Sequence, residues 1–304
     1  MTSGAHALRH HAPSAADALD AVVTTMWTDV EDAGLGALVA ECGASAAGHL
    51  HLEPLTPPAA GTGTPTADDA AVAAFAEQAC LDVASVTPEL RTGFLAASGD
   101  RAGTLAAALW VVEFVPRTRS ALDALFGSGP WPPAAVDPVP GGVWVALDGL
   151  IRVVPALEAL DPVTSELVRL RGARQHDCRL CRSLRSRSAL RAGATEDDFA
   201  AVDHYADSDL TPLRRAALGF TDAMVWTPGR IEPGVVEALV AEATPAQQVE
   251  VVLDVTRNAL NKIAVALGAD AAHVDEGVEI YDVGPDGTLV YGLEPDGAGI
   301  VPGQ

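Results

Sequence analysis

The sequence predicts an all-α protein that closes with a short C-terminal β-hairpin. Long segments with the apolar periodicity of amphipathic helices lie between glycine- and proline-rich stretches. Four of the helical segments begin with a capping residue followed by proline, and β-prone runs are confined to the C-terminal end. Because helix follows helix with short turns between them, we expect a multi-helix bundle to which the hairpin is appended.

The helix starts are marked by side chains that can cap the first turn. A threonine or aspartate precedes a proline, a favoured first helical residue, at Thr87, Asp161, Thr211 and Thr244. Gln247 gives Thr244 the spacing of a capping box, and Thr195 with Asp198 is its acidic variant. We expect the helix opened by Thr244 to run to Gly268, since glycine suits the left-handed conformation at a helix end.

Two glycine- and proline-rich stretches and the hairpin divide the chain. The stretches cover residues 54–66 and 127–142, and neither has a helical or strand period. The predicted hairpin strands are 278–283 and 288–293, on either side of a Gly-Pro-Asp-Gly turn. We therefore predict an N-terminal helical half (1–126), a linker (127–142), a C-terminal helical domain (143–270), and a hairpin with a frayed tail (271–304).

Charge and hydropathy exclude several classes of function. The 304 residues include 41 acidic and 19 basic side chains, which gives a net charge of −22. A chain this acidic is a poor ligand for nucleic acid or an anionic membrane, so we expect neither as a partner. The longest uninterrupted apolar run, Leu105 to Val112, is eight residues and too short to span a bilayer. The N-terminus has no basic-then-apolar signal pattern, so we expect a cytoplasmic protein.

Cys178 and Cys181 form a C-x-x-C pair, the strongest chemical signal in the sequence. Such a pair can be half of a zinc site, a redox dithiol, or two packed cysteines without a role. The other cysteines, Cys42 and Cys80, are 38 residues apart and supply no second pair, and His176 would be only a third ligand. We therefore favour the redox pair and expect neither a metal nor another cofactor.

Arginines surround the cysteine pair. Seven of the 19 basic residues are arginines within 19 positions: Arg169, Arg171, Arg174, Arg179, Arg182, Arg185 and Arg187. Nearby cations favour a thiolate and lower the pKa of a cysteine. A helix that begins near Asp177 would place Cys178, Cys181 and Arg185 on one face, with the Arg185 guanidinium close to the sulfur of Cys181. The alternative is that these arginines are solvated or pair with acidic neighbours.

The segment ELVRLRGARQHDCRLCRSLRSRSALRAGATEDDFAAV, with LTPLRRAALGFTDAM and RNALNKIAVALG after it, resembles the carboxymuconolactone decarboxylase-like superfamily. The closer resemblance is to its alkyl hydroperoxidase D branch, and it covers about residues 142–270 in order. It implies an all-α bundle that assembles as a homo-oligomer, most often a trimer, although the length of this chain also allows a dimer or a monomer. The N-terminal half would then be a degenerate, catalytically silent counterpart.

The resemblance also implies roles for individual residues. Cys181 would attack the peroxide, Cys178 would resolve it as a disulfide, and Glu166 would be the acid of a proton relay. Arg185 stands where the branch has the relay histidine, and arginine cannot act as a base because it stays protonated. His176 is the first substitute and His204 a weaker one. Cys42 and Cys80 are expected to be buried as small apolar residues.

Three functions follow from these observations. The first is a peroxidase-like, thiol-dependent oxidoreductase that takes a peroxide and is recycled by a protein or small-thiol reductant. The second is a family scaffold recruited for another reaction on an anionic organic molecule, with Arg185 clamping a carboxylate. The third is a non-enzymatic helical oligomer whose cysteines sense redox state.

Overall fold

Helices make up most of the computed structural model, which describes residues 3–57, 67–134 and 136–294. Most of the first proline-rich stretch (58–66) and the predicted tail from residue 295 onward lie outside the described residues. In chain order the helices are α1 (Gly4–His11), α2 (Pro13–Asp32), α3 (Gly36–Leu50), α4 (Ala67–Leu81), α5 (Pro88–Ser98), α6 (Ala102–Phe126), α7 (Val143–Val153), α8 (Pro162–Gln175), α9 (Arg179–Arg182), α10 (Arg187–Arg191), α11 (Glu196–Ala201), α12 (Pro212–Trp226), α13 (Pro233–Glu242), α14 (Pro245–Asn258) and α15 (Asn261–Leu267).

The predicted helix caps are confirmed. Each of the four cap–proline pairs opens a helix, and the capping side chain accepts a backbone N–H of the first turn. Thr195 and Thr244 both form complete capping boxes. The predicted continuous helix from Thr244 to Gly268 is wrong. It breaks after α14, because the N–H groups of Lys262 and Ile263 bond three residues back, and α15 then ends at Gly268 in the predicted left-handed conformation.

Helix α6 runs through the middle of the apolar core. Every residue from Leu105 to Thr118 is buried, and the helix packs against α1, α2, α3 and α14. The eight-residue apolar run therefore lies at the centre of the molecule, where close packing from several sides requires an all-round apolar helix. In the described ranges no helix has the length and apolar character needed to cross a bilayer.

A buried ionic cluster ties α6 to the C-terminal helices. Arg117 Nη2 lies 2.9 Å from Glu113 Oε1, and Lys262 of α15 donates to the same carboxylate. Arg117 also donates to the carbonyls of Cys80 and Met224. Charges are costly to bury unless they are paired, so the three side chains hold one another in place.

The predicted hairpin is confirmed, and the structure adds a third strand. Strands β2 (Glu279–Val283) and β3 (Leu289–Leu293) are antiparallel. Strand β1, Leu184–Ser186, pairs in parallel with β2. A three-residue strand is too short to show an alternating pattern, so β1 could not be predicted from the sequence. The fold is thus mostly all-α, with a small sheet that brings the C-terminal segment against the cysteine region.

Replacing Glu113 with glutamine is expected to destabilise the protein strongly. The substitution leaves Arg117 and Lys262 buried without their shared carboxylate, a situation that costs about 3–5 kcal/mol of unfolding free energy. Denaturant unfolding measures the loss. Asp148→Asn is the matched control, because its ion pair with Arg152 is exposed and contributes less than about 1 kcal/mol. Equal losses for the two variants would contradict the structural role of the cluster.

Candidate active site

Cys178 and Cys181 are joined by a disulfide at a one-turn helix, α9, with their Cα atoms 5.3 Å apart. Cys178 is the N-cap residue, and its sulfur accepts the backbone N–H of Cys181 at 3.2 Å. Asp270 fixes the turn from outside by accepting both the backbone N–H and the guanidinium of Arg179. Both cysteines are buried, so the structure holds the redox pair in a shielded, tightly defined turn.

The predicted shared helix face of Cys178, Cys181 and Arg185 is wrong. Helix α9 ends at Arg182, and Arg185 lies on strand β1. The helix stops because the next carbonyl, that of Ser183, accepts a hydrogen bond from the backbone N–H of Glu279 at 2.8 Å. Pairing with β2 thus replaces the second helical turn that the spacing suggested.

Glu166 is buried on α8 and receives four hydrogen bonds. Arg169 binds it in a bidentate manner, with Nε at 2.6 Å and Nη2 at 2.7 Å. The backbone N–H of Ser186 and the hydroxyl of Tyr281 each donate to it at 3.0 Å. Burial, followed by the nearby Glu166 carboxylate, raises the pKa of Tyr281, so its hydroxyl stays a donor. With both oxygens occupied by donors, Glu166 acts here as an acceptor.

Arg169 connects Glu166 to the cysteine turn. Its Nη1 donates to the carbonyl of Cys181 at 2.7 Å and its Nη2 to the carbonyl of Leu184 at 2.9 Å. The guanidinium also lies over the ring of Tyr281, 5.3 Å from its centroid. A planar group with five donors suits this task. One side chain therefore fixes Glu166, the backbone of the second cysteine and the start of β1.

Most arginines of the cluster pair with acidic side chains, as the alternative interpretation proposed. The ion pairs are Arg169–Glu166, Arg171–Asp222, Arg174–Asp203, Arg179–Asp270, Arg182–Asp177 and Arg185–Glu196. Their positive charge is therefore largely compensated by carboxylates in direct contact with them. The arginines therefore hold the backbone around the cysteines in place, and they add little uncompensated positive charge near the sulfurs.

Arg185 is held by contacts other than the cysteine sulfurs. Its guanidinium lies 3.3 Å from the Glu196 carboxylate, donates to the carbonyls of Arg182 and Leu184, and packs over the ring of Phe199. Within the described part of the chain, none of its hydrogen bonds reaches Cys178 or Cys181. Arg185 therefore connects β1 to α11.

His176 is the C-cap residue of α8 and is buried. Burial, together with the charges of Lys262 and Arg117, lowers its pKa well below the usual value. Its Nε2 has no hydrogen-bond partner among the described residues. The sequence offered His176 as the first substitute for the relay histidine that Arg185 replaces, and the structure places it as a neutral imidazole near the ionic cluster of α6. His204, the weaker candidate, lies in the turn after α11.

A cleft of about 630 Å³ opens on the other side of Glu166. It lies between α8, α14, the segment 154–160 and the hairpin, and Glu166, Arg169 and Tyr281 are part of its lining. Neither Cys178 nor Cys181 lines it. The Glu166–Arg169 pair therefore forms a partition between the disulfide and this cleft.

Cys42 and Cys80 are buried and unbonded to other cysteines. Burial raises the pKa of Cys42 to about 12 and shifts that of Cys80 in the same direction. A thiol with a raised pKa is a poor nucleophile. Across the residues described, no three His, Cys, Asp or Glu side chains are grouped as a metal site would require.

Two comparisons with known proteins agree with this geometry. The family model described as "Carboxymuconolactone decarboxylase family" matches residues 144–223, which include α8 and the cysteine turn. The "Uncharacterized protein Rv2313c" and "Uncharacterized protein MT2376", both of Mycobacterium tuberculosis, are each 41% identical over 231 residues, covering 74% of this chain and 81% of theirs. The chain belongs to the carboxymuconolactone decarboxylase family. No solved structure matches it.

For this family member, sequence reasoning missed the residues that complete the surroundings of Glu166. Tyr281 and Ser186 reach Glu166 only because β1 pairs with β2. The acidic pattern of α14, with Glu250 and Asp254 one turn apart, was readable in the sequence. A charged helix face is usually exposed to solvent, so the pattern alone does not indicate a site. In the structure both residues are buried.

Tyr281→Phe is expected to lower the unfolding free energy by about 1.5–3 kcal/mol, because a hydrogen bond to a charged group is lost. Tyr291→Phe on the same hairpin is the matched control, since that side chain is exposed and should change stability by less than about 0.5 kcal/mol. Thermal or denaturant unfolding of the two variants provides the measurement. If Tyr281→Phe were as mild as the control, the phenol would not hold Glu166.

Proposed function

We propose that this member of the carboxymuconolactone decarboxylase family is a peroxidase-like, thiol-dependent oxidoreductase that cycles Cys178 and Cys181 between dithiol and disulfide. The observation that carries the proposal is the Cys178–Cys181 disulfide within the segment that the family model matches. The network from Glu166 through Arg169 to the Cys181 carbonyl supports it.

The proposed reaction balances as a two-electron exchange. The Cys181 thiolate attacks the terminal peroxide oxygen, the O–O bond breaks, and the products are a Cys181 sulfenic acid and an alkoxide that takes up a proton. The Cys178 thiol then attacks the sulfenic sulfur, releases water and forms the disulfide. A protein or small-thiol reductant returns two electrons and two protons.

Proton delivery to the alkoxide is the weak step of this reaction. Arg185 replaces the relay histidine and keeps its proton at neutral pH. Glu166 is engaged as the acceptor of four hydrogen bonds. We therefore propose that peroxide reduction here is slower than in family members with a complete relay, and that the proton comes from water.

The recruited-scaffold hypothesis has a specific observation in its favour. The cleft beside Glu166 is lined by charged side chains and is separated from the disulfide. Arg185, which this hypothesis named as the clamp for a substrate carboxylate, is already bonded to Glu196 and to two backbone carbonyls. A second reaction on this scaffold would therefore depend on the cleft and on other side chains.

Mild peroxide treatment of the reduced protein tests the redox function. We expect hydrogen peroxide to remove two alkylatable thiols per chain, those of Cys178 and Cys181, with the disulfide identified by mass spectrometry. The Cys178→Ser variant should trap a sulfenic acid at Cys181, and Cys181→Ser should trap none at Cys178. Cys42→Ser and Cys80→Ala are the matched controls and should behave as the unmodified chain, because those thiols are buried and keep their protons.

Three results would count against the proposal. Persistent alkylation of both Cys178 and Cys181 after peroxide would exclude a redox pair. A sulfenic acid that formed first at Cys178 would reverse the assigned order of attack. Disulfide formation without turnover in the presence of a thiol reductant would favour a redox sensor over an enzyme.

A further inference from the structure

The cleft beside Glu166 is lined on one side by three charged residues of α14. Glu250, Asp254 and Arg257 follow the spacing i, i+4, i+7 and therefore share one face of the helix. With a rise of about 1.5 Å per residue, the face extends about 10 Å along the cleft. Among the described residues none of the three takes part in an ion pair.

Asp254 is the most constrained of the three. It is only 7% exposed, and its Oδ2 has no hydrogen-bond partner among the described residues. Burial, then the proximity of Glu250, raises its pKa to about 7, although a hydrogen bond from Ser165 opposes the shift. A buried carboxyl oxygen without a donor is costly unless something supplies one. The position is therefore suited to a ligand that brings a hydrogen-bond donor or a positive charge.

Glu250 lies one turn before Asp254 and lines the same cleft. Its Oε2 accepts the backbone N–H groups of Ala159 and Leu160, at 2.7 Å and 3.1 Å. Burial raises its pKa, and those backbone hydrogen bonds oppose the shift. The two acids thus form a carboxyl pair without an ion-pair partner among the described residues, although the charge of Arg257 opposes the rise in the pKa of Asp254. An ammonium group is the natural complement of such a pair.

Arg257 stands at the other end of the face. Its Nε donates to the carbonyl of Ile151 at 3.0 Å, and no carboxylate in the described ranges pairs with the guanidinium. The other two arginines of the cleft differ in this respect, since Arg169 is paired with Glu166 and Arg152 with Asp148. Arg257 is therefore the cation in the cleft that remains able to take a ligand carboxylate.

Apolar side chains also line the cleft. They come from the segment that follows α7 and from the hairpin: Val154, Leu157, Leu160, Val283 and Pro285. A volume of about 630 Å³ lies within the range of small-molecule sites. The cleft thus combines a carboxyl pair, a guanidinium and hydrophobic side chains.

We propose that this cleft is a binding site for a small zwitterion of the amino acid class with an apolar side chain. The ligand ammonium lies on Glu250 and Asp254, its carboxylate on Arg257, and its side chain against Val154 and Leu157. This arrangement gives each of the three charges of α14 a partner of opposite sign. The site is independent of the cysteine chemistry, because neither Cys178 nor Cys181 lines the cleft.

Three probes that share a 3-methylbutyl unit test the two ends of the site. L-leucine carries both charges, 3-methylbutylamine lacks the carboxylate, and 4-methylpentanoate lacks the ammonium group. Isothermal titration calorimetry of the full chain in its disulfide form at pH 7.5 measures their affinities. We expect L-leucine to bind at least about tenfold more tightly than either analogue, which corresponds to about 1.4 kcal/mol for the missing charge.

Substitutions with matched controls assign the ends to residues. Asp254→Asn should weaken L-leucine at least about tenfold and leave 4-methylpentanoate unchanged, whereas Arg257→Gln should weaken L-leucine and leave 3-methylbutylamine unchanged. The matched controls are Asp282→Asn and Arg152→Gln. The side chains of Asp282 and Arg152 line the same cleft, but they form ion pairs with Arg191 and Asp148. Both controls should bind L-leucine within about twofold of the unmodified chain.

The pH profile gives a second, independent readout. The groups that face Asp254 are Glu250 and Arg257 on its own helix, Ser165, Glu166 and Arg169 on α8, and Tyr281 on β2. An ammonium ligand binds the ionised form of Asp254, so L-leucine affinity should rise about tenfold between pH 6 and pH 8. The Asp254→Asn variant should lose most of this rise.

The proposal has clear contrary outcomes. If 4-methylpentanoate or 3-methylbutylamine bound as tightly as L-leucine, one end of the site would be unused and the zwitterion assignment would be wrong. Absence of binding by all three probes would overturn it altogether, even if the peroxide experiment on Cys178 and Cys181 succeeded. If the Asp254→Asn variant failed to fold, the three-probe comparison on the unmodified chain would still decide.

Discussion

The buried ion pair between Glu166 and Arg169 is the interaction on which the candidate site depends. Each partner is almost fully enclosed, and removing one would leave the other as an uncompensated buried charge. Their remaining hydrogen-bonding capacity is used on the surrounding backbone. Glu166 fixes Ser186 and Tyr281, while Arg169 fixes the carbonyls of Cys181 and Leu184. Four segments of the chain therefore meet at one pair of side chains.

The Glu166–Arg169 pair also lies between the two candidate functional regions, the disulfide and the cleft. On one side lies a shielded disulfide whose turn is held by Asp270 and Arg169. On the other lies a cleft with a carboxyl pair and an arginine for which the described residues provide no ion-pair partner. The family resemblance assigns Glu166 to the cysteine chemistry. In the structure Glu166 is linked to the cysteine turn through Arg169 and also lines the cleft. The proposed redox function and the proposed amino acid site are for this reason separable by experiment.

Local signals predicted the parts of the fold that depend on local interactions. The cap–proline pairs, both capping boxes, the glycine end of α15 and the hairpin strands were all readable, because each rests on contacts within a few residues. Strand β1 was not readable, because it forms only against a partner about 95 residues away. The helical spacing that placed Arg185 beside Cys181 failed for the same reason.

The candidate site was predictable in its residue types and less so in its arrangement. Cys178 and Cys181 form a disulfide, and Glu166 is connected to the Cys181 carbonyl only through Arg169. What the arginines do was open, because their partners, Asp203, Asp222 and Asp270, come from distant segments. The lowered pKa of His176 likewise depends on burial in the folded protein and then on charges from α15 and α6.

The pairing of β1 with β2 has a consequence for the order in which the molecule is assembled. Tyr281 follows Glu166 by 115 residues in the chain, and closing so long a loop carries an entropic cost that local helices do not pay. During synthesis α8 and the cysteine turn leave the ribosome well before β2, and domains fold as their segments emerge. The cysteines are therefore made before the strand that pairs with β1 beside their turn, so that thiols and oxidants meet them in the nascent chain before the arrangement of the finished protein has formed.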